Sequence, residues 1–171
     1  AFHGGERQSL ERILGDVASY KPRFVCVTGG EPLAQPESLV LMQKLCDEGY
    51  SVSLETSGAL SIEDVDTRVN IVMDLKAPSS AELGRNLYQN IAQLKAKDQV
   101  KFVLADRADY EWAKFKLDEY DLADRVGDVL FSPVFGALSS SDLADWIVRD
   151  NLPVRFQIQL HKALWGDKPG V

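Results

Sequence analysis

The sequence predicts an α/β protein built on a parallel sheet, as a partial β/α barrel or a doubly wound sheet, with residues 1–171 forming one domain. Three observations predict it. Short β-rich apolar runs alternate with segments of helical apolar period, the pattern of parallel-sheet proteins. No repeat, low-complexity tract or inter-domain linker interrupts that rhythm. At 171 residues, 45% hydrophobic and 26% charged, the chain can bury one substantial core.

The elements follow in order. Leu10, Ile13, Leu14 and Val17 stand at i, i+3, i+4 and i+7 and predict the first helix. Residues 24–28 form the first strand run. A second helix is expected over 36–48, because Pro36 suits a first turn and Gly49 can end it as a left-handed cap. Leu41, Met42 and Leu45 would then face the sheet. Strand runs at 51–56 and 69–75 enclose a shorter helical segment at 61–68. Leu87, Ile91 and Leu94 predict a helix ahead of the strand at 100–104. Trp112 and Phe115 predict another ahead of 129–132, and Leu143, Trp146 and Ile147 one ahead of the last strand, 156–160. Residues 77–80 and 135–141 have loop composition.

Charge and composition remove several function classes. The chain carries 19 Lys plus Arg against 26 Asp plus Glu, a formal charge of −7 that repels a phosphate backbone, so no nucleic-acid partner is expected. No stretch approaches the roughly 20 consecutive apolar residues of a membrane helix, and residues 1–5 have neither a basic nor an apolar signal region. A cytoplasmic protein without membrane contact is expected. Cys26 and Cys46 are far apart and signal neither a disulfide framework nor a zinc knuckle; small core residues are the expectation. The chain has no initiator Met and opens in a polar stretch, so a missing N-terminal part is also expected.

Candidate chemistry gathers where strands end. Parallel strands point their C-terminal ends one way, and in β/α barrels and open α/β sheets that rim holds the ligand. The polar residues there are 28–31, 55–58, Asp74 and Lys76, Ser132 and Pro133, and His161 and Lys162. Gly29-Gly30 after a strand can present successive N–H groups to an anion, and Glu31 adds an acceptor for an amine, a combination suited to an amino-acid zwitterion. The same glycines also fit an ordinary structural turn. Asp74 and Lys76 flank Leu75 at a spacing of two, so they share a face, as a binding pair or as a strand-end ion pair. Lys101 fits either the site or solvent. His161, at the end of the last strand run, is the candidate for proton transfer, or else structural. No catalytic residue is assigned beyond that candidate, and no Ser-His-Asp, Cys-His, Walker or G-x-G-x-x-G pattern is present.

The strings Val27-Thr28-Gly29-Gly30-Glu31-Pro32-Leu33, Leu54-Glu55-Thr56-Ser57-Gly58 and Asp74-Leu75-Lys76 resemble the radical S-adenosylmethionine (SAM) superfamily. Phe131-Ser132-Pro133-Val134, the tail from Gln159 to Gly170 and the opening residues narrow the resemblance to its 7-carboxy-7-deazaguanine synthase family. The resemblance runs from the first residue to the last. It implies a partial parallel (β/α) barrel of the radical SAM type lacking its first strand and cluster loop. The implied activity is the SAM-dependent radical ring contraction of 6-carboxy-5,6,7,8-tetrahydropterin to 7-carboxy-7-deazaguanine, with loss of ammonia, in queuosine and deazapurine biosynthesis. The implied cofactors are SAM, a [4Fe-4S] cluster and Mg²⁺. The implied partners are the pterin and a flavodoxin-like electron donor, in a homodimer.

Carried over by position, Gly30 and Glu31 would hold the SAM methionine, and Asp74, Leu75, Lys76, Ser132 and Pro133 would line the rest of its site. Thr28, Glu55, His161 and Pro169 would meet the pterin. The chain departs from the family in having no closely spaced cysteine triplet for the cluster, so cluster and Mg²⁺ ligands are expected upstream. Another radical SAM enzyme, such as a glycyl-radical activase, and a cluster-less SAM-binding domain remain open alternatives.

Overall fold

Polar caps and apolar faces set the elements in the computed structural model, which describes residues 6–166 and 168, with His161 described by its backbone. Helix α1 (Leu10–Tyr20) begins at Ser9, whose hydroxyl accepts from the Arg12 N–H at 3.3 Å. Strand β1 (Phe24–Val27) follows, then a 3₁₀ turn at Pro32–Ala34 and helix α2 (Ser38–Asp47). Next come β2 (Ser51–Thr56), β3 (Asn70–Leu75), and 3₁₀ turns at Pro78–Ser80, Leu83–Arg85 and Tyr88–Gln93. The chain continues through β4 (Gln99–Leu104), α3 (Arg107–Glu119), α4 (Leu122–Arg125), β5 (Asp128–Pro133), α5 (Ser140–Arg149), β6 (Arg155–Phe156) and α6 (Leu160–Trp165).

The six strands lie in the linear order β1-β2-β3-β4-β5-β6, an open sheet. Pairs β1–β2, β2–β3, β4–β5 and β5–β6 are parallel, as the alternation of strands and helical segments predicts. The chain divides into two compact units, Ala1–Met73 with Leu87–Gln93, and Asp74–Asn86 with Leu94–Val171.

In the first unit, alternation along β2 buries Val52, Leu54 and Thr56, and Ile71 and Met73 of β3 do the same beside them. Met42 and Leu45 of α2, both at most 1% exposed, belong to this core. In the second unit Phe102, Tyr110 and Phe131 pack edge to face, with centroids of Phe102 and Phe131 at 5.4 Å and of Tyr110 and Phe131 at 5.9 Å. Leu104, Leu117, Leu122 and Leu143 complete that core.

Several elements differ from expectation for local reasons. The second helix starts at Ser38 rather than Pro36, because the Glu31 carboxylate accepts the Leu33 N–H at 3.1 Å and draws Pro32–Ala34 into a separate 3₁₀ turn. Gly49 does end the helix with φ +88. Residues 61–68 are turns, with the Asp66 carboxylate taking both the backbone N–H and the guanidinium of Arg68. The 87–94 helix is a 3₁₀ stretch in which buried Asn90 spends its amide on loop carbonyls, reaching Gly58 O at 3.2 Å and Leu60 O at 2.8 Å. Helix α3 buries Asp109, Tyr110, Ala113 and Leu117 and leaves Phe115 60% exposed. The four-residue α4 had no signal. Neither cysteine is core: Cys26 is exposed on β1 and Cys46 is half-buried on α2.

The last strand differs most. Only Arg155 and Phe156 form ladder pairs, the Gln157 N–H adds one bond to Phe131 O at 2.9 Å, and the chain then turns into α6. Alternating Ile158 and Leu160 imitated a strand, whereas Leu160 and Leu164 are spaced for a helix. His161 is therefore a helical residue and does not close a strand.

Candidate functional site

In the first unit the C-terminal ends of β1 and β2 are joined through one carboxylate. Glu31 stands directly after Gly29 (φ +100) and Gly30 (φ +57), a left-handed path open to glycine. An added Cβ at Gly29 would meet nothing within 4 Å, so the space beside it is open. Four donor groups converge on Glu31: the Thr56 hydroxyl at 2.8 and 2.9 Å to its two oxygens, the Ser57 N–H at 2.8 Å, the Ser57 hydroxyl in a short contact, and the Leu33 N–H at 3.1 Å. A carboxylate offers about four lone-pair directions. An incoming ammonium would therefore displace one of the hydroxyls, which can rotate away as the N–H groups cannot. From sequence Thr56 and Ser57 are rim residues and no more; their tie to Glu31 joins positions 25 and 26 apart and leaves no local sequence signal.

Glu55 points to the opposite face of β2 from buried Leu54 and Thr56, and it is exposed. Its Oε2 accepts from the Thr28 hydroxyl at 3.2 Å, so the two residues expected at the pterin do meet.

The second unit carries the other set. Asp74 and Lys76 share a face, as their spacing requires, and form an ion pair with Nζ at 2.8 Å from Asp74 Oδ2 and side chains 25% and 31% exposed. Leu75 between them is fully buried. The second oxygen, Asp74 Oδ1, is buried and has no hydrogen-bond partner among the described residues. Ser132 Oγ and Gln157 Oε1 share that condition at the ends of β5 and β6. Buried polar atoms without partners are rare, because each costs about 1–3 kcal/mol. These acceptors fit a polar ligand that brings its own donors, which is the requirement SAM would meet. Pro133 follows on β5 and is buried. Gln157 was missed because the extended strand reading placed it mid-element.

Asn86 was missed as well. Its side chain accepts the Lys76 N–H at 2.9 Å and donates to the Lys76 C=O at 2.9 Å. Nothing near position 86 in the sequence signals a tie to residue 76. Lys101 is half-buried on β4. His161 lies in the first turn of α6, and Pro169 lies outside the described residues.

The residues present do not fit an iron–sulfur cluster. The chain has two cysteines, one on a strand and one on a helix, and among the described residues no group of three or more His, Cys, Asp or Glu could hold a metal ion. The same holds for Mg²⁺. No helix among the described residues is long and apolar enough to cross a membrane.

No protein-family model matches the chain. Among curated proteins, it is 39% identical over 171 residues to the 7-carboxy-7-deazaguanine synthase of Chlorobaculum tepidum, covering 98% of this chain and 77% of the relative. The enzymes of the same name from Koribacter versatilis and Thermoplasma acidophilum are 38% and 36% identical, with 96% and 100% of this chain and 79% and 81% of the relatives covered. Among solved structures, Streptococcus suis SuiB bound to its precursor peptide SuiA superposes with a TM-score of 0.67 at 14% identity, over 95% of this chain and 45% of that one. SuiB bound to S-adenosylmethionine gives 0.62 at 17% identity, over 90% and 44%. At those identities the likeness is one of fold.

Proposed function

The chain belongs to the 7-carboxy-7-deazaguanine synthase family and is an enzyme of the radical SAM type, and from that membership we propose what its residues do. The reaction is ring contraction of 6-carboxy-5,6,7,8-tetrahydropterin to 7-carboxy-7-deazaguanine with release of ammonia. Identity of 39% spanning 98% of the chain carries this assignment.

SAM, when bound, supplies the species that abstracts a substrate hydrogen; the protein binds, orients and shields. Gly30 and Glu31 receive the methionine end of SAM: Gly30 takes the left-handed turn that sets Glu31 at the strand end, and Glu31, already fixed by Thr56 and Ser57, exchanges a hydroxyl donor for the ammonium. Asp74, Leu75, Lys76, Ser132 and Pro133 also serve SAM, with Asp74 Oδ1 and Ser132 Oγ taking the donors they lack here. Thr28 and Glu55 serve the pterin. The Thr28 bond fixes the Glu55 carboxylate, an exposed acceptor matched to the N–H groups of a pterin edge. His161 and Pro169 are assigned to the pterin on the family resemblance. The two cysteines of this chain do not form a cluster site, and the described residues hold no metal-binding group for Mg²⁺. A flavodoxin-like reductant, a homodimer and a cytoplasmic location complete the proposal.

Incubating the full-length protein anaerobically with SAM, reductant and the carboxytetrahydropterin tests it. The expected result is 7-carboxy-7-deazaguanine and ammonia in equal amounts. SAM cleavage without pterin conversion would contradict the assignment and favour a different radical SAM enzyme, while failure to bind SAM would contradict the cofactor.

A further inference from the structure

We propose that Asn86 is a positioning residue, one that sets the Asp74-Leu75-Lys76 strand end for SAM; this rests on the SAM assignment above. Strand β3 ends at Leu75, and the next peptide group has passed beyond the strand. At that point one side chain ten residues later serves both backbone groups of Lys76, accepting its N–H at 2.9 Å and donating to its C=O at 2.9 Å. A primary amide presents an acceptor and a donor side by side, so it can imitate the neighbouring strand that Lys76 has lost. Asn86 is itself fixed as the cap of the Leu83–Arg85 turn, with its N–H on Leu83 O at 3.3 Å.

The consequence reaches Asp74. With its backbone clamped, Lys76 delivers Nζ to Asp74 Oδ2 at 2.8 Å and leaves Oδ1 buried and without a partner among the described residues. The far side of the same loop is pinned too. Asp109, 1% exposed, accepts the Ser79 N–H at 3.1 Å, the Ser79 hydroxyl in a short contact, and the Ala105 N–H at 3.0 Å. The loop is therefore preset between two side-chain anchors, and Asn86 is the anchor next to the acceptor. A preset acceptor binds more tightly because its ordering cost is met before the ligand arrives.

The test uses full-length protein with Asn86→Ala and Asn86→Asp, the second keeping an acceptor for the Lys76 N–H while losing the donor to its C=O. Three measurements are made: equilibrium SAM binding, steady-state kinetics for SAM and for the pterin, and amide hydrogen exchange at Lys76. Asn86→Ala is expected to weaken SAM binding about tenfold, a little more than the net worth of one ordinary hydrogen bond, because the ordering that the two bonds supply in advance must then be met on binding. KM for the pterin and kcat at saturating SAM stay unchanged, and the Lys76 amide exchanges faster. Asn86→Asp should fall between Asn86→Ala and wild type. SAM affinity equal to wild type in Asn86→Ala overturns the proposal, and if that variant does not fold, wild-type affinity in Asn86→Asp does so instead. Wild-type protein that fails to bind SAM overturns the SAM assignment itself, whatever the exchange at Lys76 shows.

Discussion

Glu31 shows how far single residues could be read in advance. Its place after two glycines was visible, and so was its acceptor chemistry. What the sequence could not display is that Thr56 and Ser57, from the next strand, already occupy it. Asn86 and Gln157 were hidden for the same physical reason: a polar side chain's partner is chosen by the fold, and only helix caps and turns write such partners locally. Thr56→Val keeps the shape of a buried side chain but removes its donor to Glu31, so unfolding by denaturant should show a loss of about 1–3 kcal/mol. Glu55→Gln keeps the size of an exposed acceptor while removing its charge. It should lower pterin turnover by at least about tenfold, the scale of one charge-assisted hydrogen bond, and leave SAM binding unchanged; parallel loss of both would reassign Glu55.

At the scale of elements, periodicity found the long helices and nearly all strands, because burial on one face repeats in the sequence. It failed where backbone bonds are made by side chains. Asn90 and Asp66 hold turns that apolar spacing had presented as helices, and the two-residue β6 was overdrawn because α6 continues its apolar pattern. One junction between elements makes a pH prediction. Asp150 caps α5 and meets α3 through the Tyr110 hydroxyl at 2.9 Å and Lys114 Nζ at 2.6 Å, while the Arg107 guanidinium lies 4.7 Å from the centre of the Tyr110 ring. The bond from Lys114, followed by that from Tyr110, holds the Asp150 carboxyl below its ordinary range. Burial, then the bond to Asp150, pushes the Tyr110 phenol up, and the Asp150 bond raises Lys114.

Asp150 stabilises the fold above its unfolded pKa, and that contribution is lost as pH falls through the lowered folded value. Tyr110 and Lys114 contribute fully below their ordinary ranges and lose that contribution as pH rises through the alkaline region. Asp150→Asn should therefore lower Tm most near neutral pH, with the gap to wild type closing as pH drops below the ordinary Asp value of 3.8. A gap independent of pH would show that the carboxylate's charge plays no part.

For the molecule as a whole, the class of fold was legible because six strand runs alternate with helical segments, and the open parallel order β1 to β6 is what that alternation builds. The family was legible too, since Thr28-Gly29-Gly30-Glu31-Pro32 and Asp74-Leu75-Lys76 sit at strand ends, where backbone geometry and ligand contact both constrain residue type. The division into two compact units had no composition shift to announce it. This chain belongs to a family of enzymes that start radical chemistry on a pterin. Supplying the full-length protein with SAM and a carboxytetrahydropterin deuterated at its saturated ring carbons, and weighing the 5′-deoxyadenosine formed, tests it most directly. Deuterium in the 5′-deoxyadenosine, in step with 7-carboxy-7-deazaguanine formation, is the predicted result; unlabelled 5′-deoxyadenosine with intact pterin would contradict it.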